Sequence, residues 1–179
     1  MSSWSYALTV EEEAMACRVG FERQLPMLGQ PERNRNYSEG DVYEAWQHMV
    51  TVGSEIACAR MLGHWDFVPH VNAFKSRQDI PGYEVRFAFS SRYGQRLRYN
   101  SAADNKEEIY ILTVQGLEIK TRRSPETEWR GTPYQAVGWM YGYEAEQEQY
   151  RYKGNSYYVP ARELYPMEVL PARGADANL

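Results

Sequence analysis

At 179 residues the chain suits one compact domain with a well-buried core. Its formal charge of −4 excludes the all-round basic coat of a protein that grips nucleic acid over its whole surface, leaving only local basic patches. Two cysteines, Cys17 and Cys58, each inside a helical pattern, exclude a disulfide scaffold and fit free, buried thiols in a reducing compartment.

The N-terminal stretch MSSWSYALTVEEE lacks the basic and apolar layout of a signal peptide, and no run approaches the ~18 to 20 apolar residues that span a bilayer. The expected location is the cytoplasm. A first helix opens at Thr9, with Glu12 three residues later forming a capping box, and runs to about Leu25, where Pro26 stops it. The polar, breaker-rich GQPERNRNYSEGD that follows reads as a loop.

A second helix begins between Ser38 and Asp41 and ends at Gly63, whose missing Cβ suits a helix C-terminus. Val42, Trp46, Met49, Gly53 and Ile56 fall on one stripe. Glu44, His48, Thr51 and Glu55 fall on the other side, which reads as the wet face. From ACARMLG onward the helix is apolar nearly all round, so Glu55 marks the boundary at which it enters the interior.

Beyond Gly63 the period shifts towards two. Strands are expected at about 67–75, 83–90, 95–99, 108–114, 117–122, 134–141 and 156–160, with a short third helix at 143–152. The tail from 171 is small, polar and rich in breakers, which reads as disordered. The whole is an α+β fold, a mixed or mostly antiparallel sheet flanked by helices. It forms one domain over 1–170, with a helical part to residue 63 and a sheet-rich core after it.

The chemistry concentrates in NAFKSRQDIPGYEVRFAF, residues 72–89. Pro81-Gly82 fits the centre of a type II turn, which sets Ile80 opposite Tyr83 and Asp79 opposite Glu84 on one side of a hairpin, with Arg86 on that same side. Two opposed carboxylates repel, and a divalent cation removes the repulsion; Mg²⁺ prefers carboxylates, water and phosphate oxygens. Neutralisation by Arg77 and Arg86 at the sheet surface is the plainer alternative, and both readings stay open at this point.

Glu55 in a helix, then Asp79, then Glu84-Val85-Arg86 in a strand resembles the order of acids in the PD-(D/E)xK nuclease superfamily, the restriction endonuclease-like fold. GSEIACARMLG, VGWMYG and YYVPARELYPM extend the likeness over about 45–170, to small phage and metagenomic proteins associated with that superfamily. The resemblance implies Asp79, Glu84 and Glu55 as ligands of Mg²⁺ or Mn²⁺. Arg86 stands in the place of the lysine that orients or activates water, and Gln78 in the place of the motif's proline. It also implies DNA as partner, phosphodiester hydrolysis as activity, a homodimer as common assembly, and a bacterial or virus-infected cell as setting. Arginine stays protonated and cannot serve as a general base, so the alternative is a catalytically inactive nuclease-fold factor that binds nucleic acid or protein.

Asp104 with Glu118-Ile119-Lys120 repeats the motif with its lysine intact. A turn at Gln115-Gly116 would pair Glu118 near Thr113, on the order of 30 Å of strand away from Asp104, beyond the reach of one ion. For nucleic-acid contact the candidates are Lys75, Arg77, Arg92, Arg96 and Arg98, interleaved with tyrosines in SSRYGQRLRY; Arg122, Arg123 and Arg130 form a second cluster beside Glu126 and Glu128. His48, His64 and His70 show no metal-ligand spacing, and no phosphate loop, HExxH or GxSxG is present.

Overall fold

A computed structural model describes residues 4–27, 41–71, 78–89, 95–115 and 131–172. Expectations for the loop at 28–40, the strand at 117–122, the tail from 173, and Lys75, Arg77, Arg92, Arg122, Arg123, Arg130, Glu118 and Lys120 lie outside those residues.

Helix α1 spans Val10–Gln24, and its start is the capping box expected: Glu12 N donates to Thr9 Oγ1, and Thr9 N donates to Glu12 Oε2. Helix α2 spans Asp41–Met61, followed by Gly63 at φ +85°. The helices run antiparallel. Arg60 near the end of α2 donates to Glu12 at the start of α1 at 2.7 Å, while Gln24 at the end of α1 donates to Glu44 at 3.1 Å. Gly20 permits this close packing, since a Cβ there would sit 2.4 Å from the backbone N of Met49.

One sheet contains β1 (Ser5–Tyr6), β5 (Tyr134–Tyr141), β4 (Ile109–Gln115) and β2 (Tyr83–Phe89), side by side in that order. β2 pairs with β4 in parallel, Glu84 beside Tyr110 and Arg86 beside Leu112, whereas the β4–β5 and β1–β5 pairings are antiparallel. A second antiparallel sheet has the order β3 (Arg96–Asn100), β7 (Ser156–Pro160), β6 (Arg151–Lys153). The fold is thus α+β, as expected.

Side-chain alternation divides the core into layers. Tyr83 and Val85 of β2 and Ile111 of β4 pack with Cys58 and Ala59 of α2. On the opposite side, Tyr110, Leu112 and Val114 of β4 pack with Leu97 and Tyr99 of β3 and with Tyr157 and Val159 of β7. The first sheet therefore lies between the helix pair and the second sheet, with β2 at one edge.

Four local expectations need correction. Residues 67–71 are not strand, and the Pro81-Gly82 turn is closed by the bridge between Ile80 and Tyr83 with Asp79 in a bend, so the expected pairing of Asp79 opposite Glu84 is not made. The helix expected at 143–152 is one turn, α3 (Gly142–Ala145), followed by a 3₁₀ turn and β6. β1 is an addition, a short strand that ties the N-terminal region to β5. Finally, the presumed wet face of α2 is covered by α1, which leaves Glu44 and Glu55 buried.

Candidate functional site

Arg23 and Glu55 form the helix-borne half of the site. Glu12, Ala16, Val19 and Arg23 recur on one buried face of α1, so the guanidinium is carried into the interface with α2. There it grips Glu55 with both nitrogens, Nη1 to Oε1 at 2.7 Å and Nη2 to Oε2 at 2.8 Å, and also donates to the His70 carbonyl. Glu55 is only 2% exposed, a position a carboxylate occupies when a bidentate cation meets it. Burial alone would lower the Arg23 pKa; the hydrogen bonds and charge of Glu55, aided by Asp79, outweigh it and raise that pKa.

The second half is built on the turn. Gly82 takes φ +88°, which permits the tight reversal after Pro81, and its N–H donates to Gln78 Oε1. The buried Asp79 folds its carboxylate onto the following strand, where Oδ2 accepts from Val85 N at 2.9 Å. Glu84 and Arg86 point to the side away from α2, as Tyr110 does. Arg86 lies 4.9 Å from the Tyr110 ring centroid and donates to Glu84 Oε2 at 3.2 Å and to Asp104 Oδ1 at 2.9 Å. Asp104 Oδ2 accepts from Asn100 N, which ties the end of β3 to the same point. Burial would lower the Arg86 pKa, but Asp104, Glu84 and Asp79 together hold it above the ordinary value.

Asp79 joins the two halves. Its charge acts on Arg23, on Arg86 and on Cys58, whose thiol is pushed up first by burial and then by that carboxylate. Of the expected site residues, Glu55 lies in the interface of the two helices, and Asp79, Glu84 and Arg86 lie at the turn and the start of β2. They form two arginine-centred groups, Glu55 with Arg23 and Glu84 with Arg86 and Asp104, while the Asp79 carboxylate accepts from the Val85 amide; they do not form one three-acid cage. Among the described residues no group of three His, Cys, Asp or Glu side chains is placed to hold a metal ion.

Sequence reasoning overlooked Arg23 and Tyr110, and it gave Asp104 to a rival register when in fact it partners Arg86. A signal for Arg23 existed: an arginine continuing the buried stripe of a helix requires a carboxylate on whatever packs against it. Arg96 and Arg98 are both exposed on β3, on the outer face of the second sheet, and take no part in these ion pairs. Compared with protein-family models, curated proteins and solved structures, the chain matches none. No helix among the described residues is long and apolar enough to cross a membrane.

Proposed function

We propose that the protein is a restriction endonuclease-like, metal-dependent DNA endonuclease whose reaction centre is the turn of Asp79 and Glu84. The observation that carries this reading is the setting of two buried carboxylates on one tight turn: Glu84 accepts from Arg86 at 3.2 Å, and Asp79 accepts at 2.9 Å from the amide of Val85, the residue between them, just past the Ile80–Tyr83 bridge. Mg²⁺ in its usual mode needs only one or two protein carboxylates, with water and substrate phosphate in the remaining positions. Asp79 and Glu84 would hold it. Glu55, gripped at both oxygens by Arg23, acts instead as a support that fixes α2 against α1 and, through Arg23, against the His70 carbonyl.

When bound, the ion supplies a more acidic water and charge neutralisation at the phosphate. The chain supplies the rest. Arg86, permanently protonated and held over Tyr110 by Glu84 and Asp104, steadies the negative charge that develops on the phosphate oxygens. Asp104 and Tyr110 fix its position, so that little reorganisation accompanies the reaction.

Nicking of supercoiled plasmid, with Mg²⁺ or Mn²⁺ against an EDTA control, tests the proposal. Wild-type protein is expected to produce open circles only with the metal, and Asp79→Asn or Glu84→Gln to reduce the rate at least about a hundredfold, the scale on which one positioned charge acts. Undiminished cleavage in both variants would refute the assignment. A second reading, a non-catalytic nuclease-fold protein that binds nucleic acid or a protein partner, is favoured by Arg86 in a lysine's place. It predicts DNA binding with no metal-dependent cleavage.

A further inference from the structure

The outer face of the second sheet combines fixed positive charge with exposed aromatic rings. In β3, Leu97 and Tyr99 face the core, so Arg96 and Arg98 face outward. The ladder sets Arg98 opposite Tyr158 of β7 and Arg96 opposite Pro160, and directly opposed residues share a side. Tyr152 of β6 is 70% exposed and meets Tyr158 edge to face, with ring centroids 5.0 Å apart. Lys153, also exposed, pairs with Ser156 across the Gly154-Asn155 turn, whose Gly154 takes φ +57°.

Arg96, Arg98 and Lys153 form no ion pair among the described residues, whereas the neighbouring Arg151 is occupied by Glu148 and by the Tyr157 hydroxyl. Three cations with no carboxylate partner among the described residues, arrayed about two tyrosines on a short open sheet, match the two needs of a single nucleic-acid strand: charge for its phosphates and ring faces for its unpaired bases. A duplex hides its bases and has no use for the rings.

We infer that this face, made by Arg96, Arg98, Tyr152, Lys153 and Tyr158, is a binding platform for single-stranded DNA. The inference rests on the endonuclease reading for its choice of DNA and adds the form in which that substrate is held. The platform adjoins the reaction centre by way of β3. From Arg96 to Asn100 the strand covers about 13 Å, and Asn100 is hydrogen-bonded to Asp104, which holds Arg86. A strand lying along β3 is thereby led towards the turn of Asp79 and Glu84.

The test is fluorescence anisotropy with a labelled twelve-nucleotide oligothymidylate in EDTA, so that binding is measured without cleavage. A duplex and an oligouridylate of the same length serve as competitors. Binding of the single DNA strand should be tighter than that of the duplex, with a slope of log affinity on log salt near −2 for three phosphate contacts. The Arg96→Ala/Arg98→Ala double variant should flatten that slope by about 1.4. Tyr152→Ala should weaken binding about five- to a hundredfold, the cost of one lost stacking partner, while Tyr152→Phe retains it.

Unchanged melting temperatures verify that each variant is folded. Duplex or RNA binding tighter than single-stranded DNA, no binding at all, or wild-type affinity in both alanine variants overturns the inference. Binding as described without any metal-dependent nicking leaves the platform standing and removes the hydrolytic reading. Cleavage by a protein whose platform variants bind normally removes the platform alone.

Discussion

Arg23 is the residue on which the helical layer and the candidate site both depend. Its partner Glu55 is buried, and removing one member of a buried ion pair leaves the other charge without compensation, at a cost of about 3–5 kcal/mol. Arg23→Ala is therefore expected to lower the unfolding free energy by roughly that amount in a urea titration. The apolar replacement Arg23→Met/Glu55→Leu should recover most of it, because it removes both desolvation penalties together. As Glu55 is a support and not a metal ligand in the present reading, the double variant should also keep any response to Mg²⁺. Loss of that response would make Glu55 a ligand after all.

Between elements, the antiparallel packing of α1 on α2 controls what the polar side chains experience. His48 on α2 has its pKa lowered, chiefly by burial and further by Arg23, against an opposing pull from Glu44. A histidine whose folded pKa lies below the unfolded value of about 6.5 takes up protons more readily when the chain unfolds, so stability rises with pH across that region. The protein should thus lose melting temperature as pH falls from about 7.5 through the unfolded histidine value, and His48→Gln should lose less over the same interval. Parallel pH profiles for the two proteins would remove His48 as the cause. The same packing explains where sequence reasoning succeeded and where it failed. The Thr9 capping box and the Pro81-Gly82 turn are local chemistry, and both formed as read. The face of α2 carrying Glu44 and Glu55 has the polarity of a wet surface, yet it meets another helix that bears Gln24 and Arg23, and periodicity alone does not distinguish water from a charged neighbour. The parallel pairing of β2 with β4 was equally illegible, because such pairs are usually joined by a helix and here the connecting chain carries β3 of the other sheet.

For the whole molecule, the most direct discriminant between a working metal centre and a charge-balanced relic is stability against Mg²⁺. An ion that binds only the folded state contributes about 2.7 kcal/mol at a hundred times its dissociation constant, which for a chain of this size is a melting shift of roughly 5–10 °C. Differential scanning fluorimetry should record that shift in the wild type and lose it in Asp79→Asn and Glu84→Gln. A shift that persists in both variants would locate the ion elsewhere. Of the charge network around the candidate centre, the nearness of Asp79 to the Glu84-Val85-Arg86 segment was legible, because the tight turn between them is local chemistry. The arrangement of that network was not legible, since Arg23 and Asp104 come from an earlier helix and a later loop, and sequence spacing carries no record of such distant partners.

The shortest of the described strands reaches far along the chain. Ser5 and Tyr6 pair with Gln135 and Tyr134, and Glu13 accepts from the Gly131 amide, so β1 is joined to a strand that lies far beyond both helices in the sequence. Contacts between segments so distant in sequence involve a large loop-closure entropy and slow the search for the native state. The suture of β1 to β5 is accordingly expected to form late in refolding, after α2 has found support on β2 and β4.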